Sequence, residues 1–172
     1  MPSNCCLSLR RYLPAVCIAL SACTSSGRIH VTATPARLAV YRTVRVQVSS
    51  EVDATRKEAI QLEATVATIA TEKLPFQQIL TQRNAPESSV DLRIDARIVR
   101  LERVTVESRA LNGVVAGRAR VIADVMLIEE ATGRVVARFT VEGKSSSAGT
   151  TEQAIKRASE QVVALMAARF NG

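Results

Sequence analysis

The stretch Val90-Asp91-Leu92-Arg93-Ile94-Asp95-Ala96-Arg97-Ile98 sets apolar and polar residues in strict alternation. Successive side chains of a β-strand point to opposite faces, so a period of two describes a strand with one buried and one wet face. Asp91, Arg93, Asp95 and Arg97 share the wet face, where their alternating signs predict pairing along the strand. Beyond Ile98 the apolar phase slips to Val99 and Leu101, then to Val104 and Val106, which predicts a bulge or bend near Arg100.

The same period recurs on both sides. Val40, Val44, Val46 and Val48 share one face of a strand from Leu38 to Val48, opposite Tyr41, Thr43, Arg45 and Gln47. Residues 117–128 place Ala119, Val121, Ala123, Val125 and Leu127 on one face. Glu130-Ala131-Thr132-Gly133 then predicts a hairpin turn into Arg134–Glu142, with Val135, Ala137, Phe139 and Val141 inward. Phe76 to Leu80 adds a short strand. Two stretches switch to a helical period. Asp53 to Leu74 carries Ile60, Leu62, Val66, Ile69 and Leu74 on one face, with Ser50 or Asp53 as cap and Pro75 as stop. From Thr150 onward, Ile155, Ala158, Val162, Leu165, Met166 and Phe170 form a second stripe, and Gln153 predicts a capping box with Thr150. Short turns between successive strands imply antiparallel neighbours. The expected fold is α+β, a two-layer sandwich: a mostly antiparallel four- to five-stranded sheet with two amphipathic helices on one face.

Ahead of this domain, Arg10 and Arg11 introduce an apolar run from Tyr12 to Leu20. The run is far short of the roughly 20 residues that span a bilayer, and it has the charge and core of a secretory signal. It closes on Leu20-Ser21-Ala22-Cys23, which resembles the lipobox of bacterial lipoproteins. The resemblance implies cleavage between Ala22 and Cys23, a diacylglycerol on the Cys23 thiol, and an acyl chain such as palmitate on its new amine. Thr24, rather than Asp, after the lipidated cysteine implies the outer membrane, with the domain facing the periplasm. The chain then divides into a signal peptide (1–22), a lipidated cysteine and tether (23–36) and a single α+β domain (37–172). Cys5, Cys6 and Cys17 leave with the signal, so no disulfide is expected and stability rests on a packed core. Arg10 and Arg11 are also the only charges removed, leaving the basic residues in excess of the 16 acidic ones by five. Such a surface favours anionic neighbours, lipopolysaccharide or phospholipid head groups among them. Nucleic acid is not an expected partner, by location and by the scarcity of aromatic residues for base stacking.

The chemistry-bearing residues form no recognisable catalytic set. Gly143-Lys144-Ser145 lacks the upstream glycine of a phosphate loop, since Arg138 stands in its place. His30 is the only histidine and has no ligand or triad spacing around it, so neither a metal site nor a catalytic residue is expected. Lys144 beside Ser145 is the one local nucleophile-base pairing, and Asp124 and Glu142 are candidate paired carboxylates across neighbouring strands. On the face opposite the helix layer, Ile122, Met126, Ile128 and Val136 interrupt Arg118, Arg120, Asp124 and Arg138. Mixed apolar and arginine character suits a partner surface, because Met and Arg are enriched in interface cores.

From about Arg37 onward the layout resembles an uncharacterised bacterial lipoprotein family, domain of unknown function 4410. Gly117-Arg118-Ala119, Ala131-Thr132-Gly133-Arg134, Val141-Glu142-Gly143 and Thr151-Glu152-Gln153-Ala154 carry the resemblance. These are structural landmarks, and the family brings no reaction, ligand or functional residue. The expectation is a non-enzymatic lipoprotein, anchored by Cys23 with no cofactor beyond that lipid. It would bind an envelope protein or component or associate with itself. An accessory role in lipid or lipopolysaccharide transport is the alternative, and a small cell-wall or lipid hydrolase is a further one.

Overall fold

Thr43–Ser50 (β1), Gln78–Thr81 (β2), Leu92–Glu102 (β3), Arg120–Glu129 (β4) and Arg134–Lys144 (β5) form one sheet, in the order β2-β1-β3-β4-β5. Two helices, Arg56–Lys73 (α1) and Thr151–Phe170 (α2), pack on it. The structure, a computed structural model, describes residues 38–50, 56–84, 90–104, 110–112 and 117–170. The signal segment, the tether, Asp53, Val106 and the side chain of Phe170 lie outside the described residues.

The α+β, two-layer expectation holds, with a mixed sheet. β3, β4 and β5 are antiparallel, whereas β1 runs parallel to both β2 and β3. A parallel neighbour needs a crossover, and α1 supplies it between β1 and β2. Asp91 starts the β1–β3 pairing: its carboxylate accepts the amides of Arg42 at 2.8 Å and Thr43 at 2.9 Å. Those two bonds hold its pKa below the usual carboxylate value. The strand-wise pairing predicted for Asp91 and Arg93 is therefore corrected, since Asp91 serves backbone amides and Arg93 pairs with Glu130 at 3.3 Å.

The alternation of β3 buries Leu92, Ile94, Ala96 and Ile98 completely or nearly so. The register slips between Ile98 and Arg100, where the phase change predicts it. Val44 and Val46 from β1, and Val121, Ala123, Val125 and Leu127 from β4, extend the same floor. Leu62, Val66 and Ala70 of α1 and Ile155, Ala158, Val162 and Met166 of α2 close it from above. Each large aliphatic side chain so buried contributes about 1.5–3 kcal/mol.

Three local expectations are corrected. Leu38–Val40 is a turn of 3-10 helix rather than strand, so Val40 is 71% exposed and Tyr41 is buried. A register shift between Leu127 and Ile128 turns β5, leaving Val135 exposed and sending Val136 into the core. Gln153 makes no capping box with Thr150; its side-chain oxygen instead accepts the Ser146 amide at 2.9 Å and hydroxyl at 3.1 Å.

α2 lies so close to β5 that a Cβ at Gly143 would overlap the Ala154 carbonyl oxygen and sit 2.6 Å from the Ala158 nitrogen. Both are backbone atoms and cannot swing aside. At the outer edge of β5, Gln161 of α2 accepts the Glu142 amide at 3.0 Å. Gly143→Ala is expected to lower unfolding free energy in urea by about 3 kcal/mol, the upper part of the overpacking range. Gly133, at φ +68° in the β4–β5 turn with open space around it, is expected to cost only about 1 kcal/mol when changed to Ala. A depressed Asp91 pKa stabilises above the unfolded value, and that contribution is lost as pH falls through the folded one. Chemical denaturation of Asp91→Asn between neutral pH and pH ~3 should accordingly give a shallower acid limb than the parent.

Candidate functional site

The sheet face turned away from α1 and α2 carries the polar half of each alternation. The register sets Arg45 of β1 beside Arg93 of β3, Asp95 beside Met126 of β4, and Met126 beside Arg138 of β5. One row further up, Asp124 lies across from Thr140, whose hydroxyl donates to Asp124 at 2.6 Å. Above that, Ile122 faces Glu142. No described residue belongs to a second layer on this side.

Of the four apolar residues expected here, Ile122 and Met126 are half-buried on this face, and Arg138 Nη2 donates to the Met126 sulfur at 3.1 Å. Ile128 is buried at 8% exposure. Val136 is the correction: the β4–β5 register shift puts it in the core at 3% exposure. The apolar centre of the face is therefore narrower than the alternation implies, and it is Ile122 and Met126. Ala22 and Cys23 lie outside the described residues.

The acids of this face are largely committed. Glu142 pairs with Arg120 and, at 3.1 Å, with Lys144, and these cations hold its pKa down against the opposing effect of burial. Arg100 meets Glu102 at 2.7 Å. Arg45 and Arg93 differ: the Nε of each is buried without a hydrogen-bond partner. Like charges set directly opposite destabilise a sheet unless something neutralises them. Glu130 serves Arg93, and among the described residues no acid pairs with Arg45. Sequence reading missed this feature because strand direction decides which residue stands beside Arg45, and alternation does not encode direction.

The nucleophile and carboxylate candidates are not assembled. Ser145 is buried at 3% exposure. Its hydroxyl donates to the Ser146 carbonyl at 2.9 Å and accepts the Ala119 amide at 3.0 Å, while its own amide donates to the Ala119 carbonyl. It extends the β4–β5 ladder by one rung, and Lys144 turns to Glu142. Asp124 is opposite Thr140 and Glu142 opposite Ile122, two positions apart along the ladder. No group of three or more His, Cys, Asp or Glu among the described residues is arranged to hold a metal. Among the same residues no helix is long and apolar enough to cross a membrane.

No family model and no curated protein matches the sequence. Solved structures match in fold. The PelC dodecamer from Paraburkholderia phytofirmans aligns at TM-score 0.58 and 17% identity, over 80% of this chain and 97% of that chain. Protein XCC0632 from Xanthomonas campestris, which carries the family model DUF330, aligns at 0.54 and 13% identity, over 76% and 86%. The hypothetical protein CT253 from Chlamydia trachomatis aligns at 0.50 and 7% identity, over 76% and 98%. At these identities the likeness is one of fold.

Ser145→Ala is expected to lose about 2 kcal/mol of unfolding free energy, because it leaves the buried Ala119 amide without its side-chain acceptor. The loss should match that of Ser145→Cys only in part, since sulfur is the weaker acceptor. Urea unfolding of the two variants measures it.

Proposed function

We propose that this protein is a non-enzymatic lipoprotein, lipidated at Cys23 and held at the outer membrane facing the periplasm. Its domain assembles with protein partners through the sheet face opposite the helices, a second copy of the chain being the first candidate. The observation that carries the reading is the one-sided sheet. Strands with parallel neighbours are normally covered on both faces. Here β1 and its parallel neighbours are covered by helices on one side only, among the described residues.

The face also has the make-up of a docking surface. Ile122 and Met126 supply an apolar centre, and arginines surround it, as in interface cores. The PelC structure of similar fold is a dodecamer, which supports placing self-association first. Anchoring rests on the residues from Arg10 to Cys23, with their charge, short apolar run and lipobox-like ending.

Native mass spectrometry of the full-length protein, extracted from its own membrane in mild detergent, tests both parts. The expected species is a multimer, or a stoichiometric complex, of chains that begin at Cys23 and carry acyl mass. Met126→Asp is expected to reduce that species to monomer with the unfolding midpoint nearly unchanged, because Met126 is only half-buried. A parent protein that is already monomeric without a bound protein would sink the assembly reading, and a mass without acyl chains would sink the anchor.

A further inference from the structure

The carboxyl ends of β1 and β2 point the same way, and α1 begins just beyond them. In open sheets this is where ligand crevices form. A cavity of about 290 Å³ lies there, lined by Val48 of β1, Arg56, Ile60 and Glu63 of α1, and Gln82 and Arg83 past β2. It shares no residue with the docking face described above.

Glu63 is the unusual member. It is 7% exposed and interrupts the buried stripe formed by Leu62, Val66 and Ala70. Its Oε1 accepts the Gln82 amide at 3.0 Å. A carboxylate has room for several donors, and among the described residues its second oxygen has none. Arg56 and Arg83 stand exposed at the same cavity. Among the described residues, Glu58 is bound by Arg103 at 2.7 Å and Glu102 by Arg100 at 2.7 Å. Neither Arg56 nor Arg83 has an ion-pair partner among the described residues. Among the described residues the cavity thus offers a carboxylate with one oxygen free, an aliphatic wall and two guanidiniums without an ion-pair partner.

We propose that this cavity binds a small zwitterion, an amino acid or a dipeptide. The ammonium donates to the free oxygen of Glu63, the aliphatic body lies on Val48 and Ile60, and the carboxylate sits between Arg56 and Arg83. Guanidinium pairs suit carboxylates because their planar forks match both oxygens.

The test is titration of the ¹⁵N-labelled full chain in mild detergent with alanine, alanyl-alanine, acetate, ethylammonium and inorganic phosphate, each to about 10 mM. The Gln82 amide, bonded to Glu63, reports occupancy directly. The expected result is a saturable shift of the Gln82 and Arg83 amides with alanine or alanyl-alanine, the tighter of the two naming the ligand class. Acetate, ethylammonium and phosphate should each bind at least about tenfold more weakly, since each meets only one end of the site. Glu63→Gln and Arg83→Gln should each weaken the zwitterion by about tenfold or more. Arg83 is exposed, so its variant holds the test even if the Glu63 variant fails to fold. No shift with either zwitterion, binding indifferent to Arg83→Gln, or phosphate or acetate binding as tightly as the zwitterions would each overturn the proposal.

Discussion

The close seat of α2 on β4 and β5 is the contact on which the rest of the molecule depends. Gly143 on the sheet meets Ala154 and Ala158 on the helix, and Ala123 and Ala137 keep the same buried core small-sided. Small residues on both sides let backbones approach, so interior density is reached without large side chains between them. Phe139, the bulkiest fully buried residue, lies on the same inner face of β5, and there is no room for a second of its size at position 143. The approach fixes the height of α2, and α1, packed against α2, takes its own position from it.

Charge is arranged with a similar economy at the ends of strands. Asp91 ties the start of β1 to the start of β3, and Glu129 gathers the Tyr41 hydroxyl, Thr132 and Arg134 at the β4–β5 turn. Those donors lower the Glu129 pKa, while burial raises that of Tyr41. Asp91 thus positions backbone, and Glu129 ties side chains together at the turn. Among the described residues, buried polar atoms without a hydrogen-bond partner lie elsewhere, at Arg45, Glu58, Arg93 and Glu130, and Glu63 in the cavity uses only one of its oxygens.

The inner face was legible in the sequence because burial on one side of a strand or helix leaves a periodic trace. Leu92 through Ile98, Val121 through Leu127 and the stripe of α2 all follow it. The slip near Arg100 was legible for the same reason. The trace misleads at Val135 and Val136, because β5 carries an extra residue, Val136, between the partners of Leu127 and Ile128, and two adjacent valines do not show which of them is the bulged one. The parallel course of β1 was invisible too, since alternation is the same for either direction. The site features suffered most. Arg45 and Arg93 are far apart in the chain and become neighbours only through that parallel pairing. Glu63 was disguised as the polar shoulder of an amphipathic helix.

The two margins of the sheet are unequal: β2 is four residues long and β5 is eleven. Symmetry makes this consequential. If β5 margins of two molecules met edge to edge in antiparallel register, the operation relating them would be a two-fold, and growth would stop at a pair. Gln161, occupying the Glu142 amide, narrows even that option. A closed ring of copies needs two dissimilar patches that fit head to tail, and the sheet face that the described residues leave bare would supply only one of them.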